Sequence, residues 1–190
     1  MKRRRREVIA GNRISEVRTF SLGGYDQKVL LDGRSADLPL VLALHGGPGS
    51  PIPFSVGCRG MFPEFTDRFI MVYWDQLGCG INNRSIDESF SVESFVDMTI
   101  DLIIALKELY PSNPLVLFGA SWGSVLAAEA AAKLPDQVDG VLIYGQVLKD
   151  LFFNEELFST LSAAGIPAKD KERVETLDRT GERSFEAVML

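Results

Sequence analysis

Four short apolar runs, LPLVLALH (38–45), RFIMVYWD (68–75), PLVLFGA (114–120) and DGVLIYGQ (139–146), are each bounded by proline, glycine or charge. An unbroken apolar run too short for a helix is the pattern of a strand covered on both faces. Between the second and third runs, Val92, Phe95, Val96, Thr99, Ile103, Leu106 and Leu109 recur at helical spacing, with Ser91 placed to cap the helix and Pro111 to stop it. After the third run comes WGSVLAAEAAAKL (122–134), where Glu129 and Lys133 stand four apart on an outward face and Pro135 follows the end. Its alanines permit close packing on a sheet. Strands alternating with helices imply parallel pairing through right-handed crossovers. The expected fold class is therefore α/β, a mostly parallel open sheet with helices on both faces. Upstream, RISEVRTFSLGG (13–24) and YDQKVLLDG (25–33) alternate around Gly23-Gly24 and read as a hairpin of two edge-type strands.

A chain of 190 residues buries about 70% of the surface its unfolded form exposes, enough for one compact core. No apolar run approaches the ~20 residues of a membrane span, and the basic run Lys2 to Arg6 leads only into VIA instead of a signal-peptide stretch. A cytoplasmic location without membrane contact is expected. Cys58 and Cys79 lack metal-ligand spacing and are too few for a disulfide scaffold, so reduced thiols and no metal are expected. The net charge of −6 becomes −11 when the five basic residues Lys2 to Arg6 are set aside. Such a body does not suit nucleic acid. Residues 1–12 read as a basic, solvated, mobile tail. Beyond Lys149, helical segments broken at Gly165-Ile166-Pro167 and Gly181 end on the apolar Phe185, Val188, Met189 and Leu190, with no further strand-like run.

Gly119-Ala120-Ser121-Trp122-Gly123 joins an apolar strand to an alanine-rich helix. In that context G-x-S-x-G is a nucleophile elbow, a tight turn that lifts the serine hydroxyl above the sheet edge. The helix N-terminus beneath it favours developing negative charge, and the Trp122 N–H is placed to stabilise an oxyanion. A glycine-flanked turn without chemistry is the competing reading. LHGGPGS (44–50) ends the earlier strand with glycines whose N–H groups can face a ligand, or simply make a turn. A serine needs a base to become a nucleophile near neutral pH. His45 is the one histidine, and its position at the strand end reads as a loop-orienting hydrogen bonder instead of a general base. YWDQLGCGINN (73–83) carries a G-x-G-x-x pattern, but Asn83 stands at the third glycine position and no helix pattern begins there, which argues against a dinucleotide site. Asp97 and Asp101, four apart on the helix, read as surface residues.

Taken in order, LHGGPGS, YWDQLGCG and FGASWGS resemble the proline iminopeptidase family of α/β-hydrolase serine peptidases, over a span from about Ile14 to Leu151. The resemblance implies an α/β-hydrolase fold with Ser121 as nucleophile and the N–H groups of Trp122 and Gly47 as oxyanion donors. It also implies that Gly46, His45, Asp75 and Gln76 line the substrate site, with Gly78 and Gly80 in the same loop. Residues 13–150 then correspond to the N-terminal part of the hydrolase core and 151–190 to the start of a helical cap. In such proteins the triad acid and histidine follow the cap, after two further strands. The expectation is thus a truncated hydrolase whose base is not on this polypeptide, with little turnover of its own and an exposed strand edge. Asp150 could replace the acid but not the histidine. The implied activity is release of an N-terminal residue, preferably proline, from a small peptide or other small acyl substrate, without organic cofactor. Hydrolysis of a small ester, lactone or amide, and a non-catalytic binding protein of the same fold, remain open alternatives.

Overall fold

The computed structural model describes residues 2–86, 89–147 and 172. Strands β1 (Ile14–Leu22) and β2 (Tyr25–Gly33) form the hairpin, in register from Ile14↔Gly33 to Leu22↔Tyr25. Gly23 and Gly24 turn the chain at φ 58° and 79°, the left-handed pair that a two-residue hairpin loop requires. The four apolar runs become β3 (Leu40–Leu44), β4 (Ile70–Tyr73), β5 (Leu115–Ala120) and β6 (Gly140–Tyr144). The sheet order is β1-β2-β4-β3-β5-β6, antiparallel through β4 and parallel from β4 to β6. Only β1 is an edge of the hairpin. The expectation of two edge strands fails for β2 because its VLL segment is buried and pairs a second time, with β4, from Leu30↔Tyr73 to Asp32↔Met71.

Helix α1 spans Lys2–Gly11, α2 Val92–Leu109 and α3 Trp122–Lys133. For α2, Ser91 accepts the Ser94 N–H and the Ser94 hydroxyl returns a bond to the Ser91 N–H, a reciprocal cap that satisfies two otherwise unpaired donors. Helices α2 and α3 lie on the same face: Phe95, Met98, Leu102 and Leu106 join Leu126 and Ala130 in one core against Leu42, Ile70 and Leu117. The other face is covered by residues 50–69, which form 3-10 turns at Val56–Cys58 and Pro63–Asp67 and set Phe54 and Phe65 against Leu30, Met71 and Tyr73. Among the described residues that second layer holds no long helix, because PIPFSVGCRGMFP interrupts any helical run with Pro and Gly. Arg59 ties this loop to the hairpin. Its Nη2 lies 2.6 Å from Asp32 Oδ1, both side chains nearly excluded from solvent, and also reaches Ser15 Oγ. Removing one partner of such a pair costs about 3–5 kcal/mol, since the other charge stays buried alone.

Two expectations meet a different structure. Segment 1–12 is not a structureless tail: α1 forms because its basic residues are good helix formers, Arg3 pairs with Glu7 one turn on, and Val8 is buried. Arg3, Arg5 and Arg6 remain exposed. Strand β6, expected to be covered on both faces, is the outermost strand, with Leu142 60% and Tyr144 74% exposed. Its apolar character matches an interior strand, but among the described residues nothing pairs with its far edge. Asp150 and segment 151–190, apart from position 172, lie outside the described residues.

An unpaired edge bearing exposed apolar side chains is a template for association. The chain is expected to self-associate with rising concentration in sedimentation velocity, and Leu142→Lys with Tyr144→Lys to shift it towards monomer. A monomeric wild-type chain across the whole range would contradict this.

Candidate active site

The turn between β5 and α3 is built by contact. A Cβ on Gly123 would overlap the carbonyl oxygen of Leu44, so only glycine lets the first turn of α3 rest on the end of β3. At Gly119 a Cβ would lie 2.6 Å from Gly123 O and 2.9 Å from Ala127 Cβ, so the strand and helix close on each other as tightly. Between them Ser121 adopts φ 51° and ψ −118°, the one non-glycine residue with positive φ among those described. A conformation of this kind costs about 1–3 kcal/mol and persists only where the surroundings over-determine it. Here the Ser121 N–H donates to Tyr144 O at 2.9 Å, and Ser121 O accepts the Ser124 N–H at 2.8 Å. The serine itself is exposed. No side chain caps the N-terminus of α3, so its leading N–H groups are directed towards the serine end of the turn.

The glycine loop after β3 meets this turn. A Cβ on Gly46 would sit 3.3 Å from Ser121 Cβ and 3.9 Å from its Oγ. Gly47 follows at φ 116° and is exposed, and the Ser50 N–H closes the loop onto Gly46 O at 3.1 Å. Ser121, Trp122, Gly46 and Gly47 therefore share one corner at the carboxyl ends of β3 and β5.

Asp75, Gln76 and His45 lie beneath that corner, each 2% exposed or less. The expectation that they line a substrate surface gives way to burial, because their polar atoms are used internally. Asp75 accepts the Val56 N–H and the Ile81 N–H, both at 2.9 Å. Gly80, at φ 51°, must be glycine since a Cβ would overlap that carboxylate, and a Cβ on Gly78 would overlap Ile86. The two glycines of this loop thus serve its own packing. Gln76 donates its main-chain N–H to His45 Nε2 at 3.0 Å and its side-chain Nε2–H to His45 O at 3.3 Å, while its Oε1 accepts the Trp122 indole N–H at 2.9 Å. Because His45 Nε2 accepts, the proton resides on Nδ1, which donates to Gly46 O at 2.9 Å. Burial lowers the His45 pKa, outweighing the opposing pull of the Gly46 carbonyl and Asp75. Cys79, donating its thiol to Gln76 O at 3.1 Å, is pushed up to about 12 by burial and then by Asp75, so it stays a thiol. Among the described residues no hydrogen bond joins Ser121 Oγ to a base. Two participants carried no signal in the sequence: Tyr144, which acts through its backbone carbonyl, and Asn82, which bridges Asp75 O at 2.6 Å and Lys28 O at 2.9 Å. Among the described residues no cluster of His, Cys, Asp or Glu could hold a metal, and no helix is long and apolar enough to cross a membrane.

A family profile described as alpha/beta hydrolase fold matches residues 39–176. The probable aminopeptidase YbaC of Bacillus subtilis is 33% identical over 126 residues, covering 65% of this chain and 39% of that protein. A proline iminopeptidase of Chitinophaga pinensis is 34% identical over 115 residues, covering 60% of this chain and 37% of its own length. The chain thus spans about two fifths of these relatives. Among solved structures, an epoxide hydrolase of Vigna radiata superposes with a TM-score of 0.59 at 19% identity over 80% of this chain and 44% of the other, a likeness of fold.

Gly123→Ala is expected to destabilise the chain by about 3 kcal/mol or more in urea unfolding, at or beyond the upper end of ordinary overpacking, because the clash is with backbone. An unchanged midpoint would show that α3 does not rest on β3. For His45, a folded pKa below the ordinary 6.5 means that the unfolded chain binds the extra proton first as pH falls. Its stabilising contribution is full above 6.5 and is lost as pH drops through the folded value. The urea midpoint should decline as pH falls through and below 6.5, and His45→Gln should flatten that decline.

Proposed function

The chain belongs to the alpha/beta hydrolase fold family, and on that premise we propose that it carries the nucleophile half of a serine hydrolase acting by acyl transfer, an aminopeptidase of proline iminopeptidase type. The observation that carries this reading is the exposed Ser121 held at positive φ between the end of β5 and the uncapped start of α3. Strain of that kind serves no packing purpose that glycine would not serve better. It does hold a hydroxyl away from the sheet and against the Gly46-Gly47 loop.

In the proposed reaction Ser121 Oγ attacks the carbonyl of an N-terminal residue, its proton passes to a base, and the carbonyl oxygen becomes an oxyanion. The N–H groups of Trp122 and Gly47 stabilise that oxyanion, the first with the positive end of α3 behind it. Collapse of the tetrahedral species expels the amine of the shortened peptide, and water then hydrolyses the acyl-enzyme. Among the described residues no base reaches Ser121 Oγ. His45 is the one imidazole of the 190 residues, and both of its nitrogens are engaged beneath the site. The activity, small peptide substrate and cytoplasmic setting of the whole protein belong to this proposal. A non-catalytic binding role draws on the same sequestered histidine.

The test supplies the base from outside. The chain alone should turn over proline naphthylamide barely above background, since an unactivated serine lacks the large acceleration of a triad. With imidazole in the buffer, an activated proline ester should acylate the chain, the added mass mapping to Ser121 and disappearing in Ser121→Ala. Rapid unassisted hydrolysis that depends on Ser121 would show that a base within these 190 residues serves it; no acylation at any imidazole concentration would favour the binding role.

A further inference from the structure

We propose that Gln76 is a positioning residue whose side-chain amide sets the spacing between the two main-chain donors of the oxyanion site. This rests on the reading of Trp122 and Gly47 as those donors, but the bonds that motivate it stand apart from any reaction. Gln76 is 1% exposed and cannot touch a substrate. Its Oε1 holds the indole N–H of Trp122, the first residue of α3, at 2.9 Å. Its Nε2–H holds the carbonyl of His45, the residue that opens the Gly46-Gly47 loop, at 3.3 Å. One planar amide therefore reaches both halves of the corner, each within two residues of a donor N–H.

Each end of the bridge is fixed by further contacts. The Trp122 ring meets Phe95 edge-on with centroids 6.0 Å apart, so the indole has little freedom to turn. The His45 ring is locked between the Gln76 N–H and Gly46 O. Behind Gln76, Asp75 is held by Val56 and Ile81. The bridge needs an acceptor towards α3 and a donor towards β3. The amides of glutamine and asparagine offer both on one short planar group, and asparagine is a methylene shorter. An ionised glutamate keeps the acceptor and loses the donor. Oxyanion donors act only within a few tenths of an ångström of the place where charge develops, so a bridge setting their separation bears on rate without meeting substrate.

The two tryptophans provide an internal control, because Trp74 donates its own indole N–H to Gln27 Oε1 at 3.0 Å. In ¹H–¹⁵N spectra of the whole chain, Gln76→Leu should displace the Trp122 indole signal and speed its solvent exchange about tenfold, the loss of one ordinary hydrogen bond, with Trp74 unmoved. The amides of Gly46, Gly47 and Trp122 should shift with it. Gln76→Glu should keep the Trp122 indole signal but move the Gly46 and Gly47 amides. Trp122→Phe, which removes the indole donor together with part of the ring, should move those same amides and decides the matter if Gln76→Leu does not fold. In the imidazole-supported acylation, Gln76→Glu should slow acylation about 10²-fold at unchanged KM. An indole that moves while the Gly46, Gly47 and Trp122 amides stay at their wild-type positions would reduce Gln76 to a space-filler and overturn the proposal, as would no change at all. Failure of acylation in every variant tells against the nucleophile instead, and leaves the spectra to decide the bridge.

Discussion

The first turn of α3 rests on the final carbonyls of β3, and everything at the candidate site is arranged around that contact. Because Gly123 has no side chain, the helix axis lies closer to the sheet than any other residue would permit. The distance then has to be absorbed within two residues. Ser121 absorbs it by entering a conformation that a side chain ordinarily avoids. Serine strain, the open helix terminus and the meeting with Gly46 are three results of one close approach.

Around this contact the molecule divides its labour by depth. The outer layer contains the serine hydroxyl and the glycine loop, small groups that leave the corner open. The layer beneath contains Gln76, His45 and Cys79, buried and hydrogen-bonded to one another, and beside them Asp75, held by the Val56 and Ile81 N–H groups. Fully satisfied buried polar networks are rigid, since any displacement leaves a desolvated donor or acceptor without a partner. Here that rigidity acts on loops, which would otherwise be the least constrained parts of the fold.

Much of the fold was legible because its signals are local. The hairpin announced itself through alternation about Gly23-Gly24, α2 through its spacing and the Ser91 cap, and β3, β4 and β5 through short apolar runs. The turn at Ser121 was legible as well, since each glycine of the motif answers a nearby steric demand. What failed depended on neighbours distant in sequence. β6 reads like an interior strand, and nothing in GVLIY states whether a further strand pairs with it. α1 hangs on one buried valine at its far end, too little to register as periodicity. The loop carrying Asp75 and Gln76 packs beneath the serine turn, and only tertiary packing decides whether a side chain on such a loop points outward or into the hydrogen-bond network below.

The bond from the Ser121 N–H to Tyr144 O gives the strained turn a dependence on the rim of the sheet. The main chain of Ser121 is moored to β6, whose far edge pairs with nothing among the described residues. Tension, fraying or reinforcement along that rim travels one hydrogen bond to the serine. The poise of the Ser121 hydroxyl is therefore tied mechanically to the strand that holds its main chain.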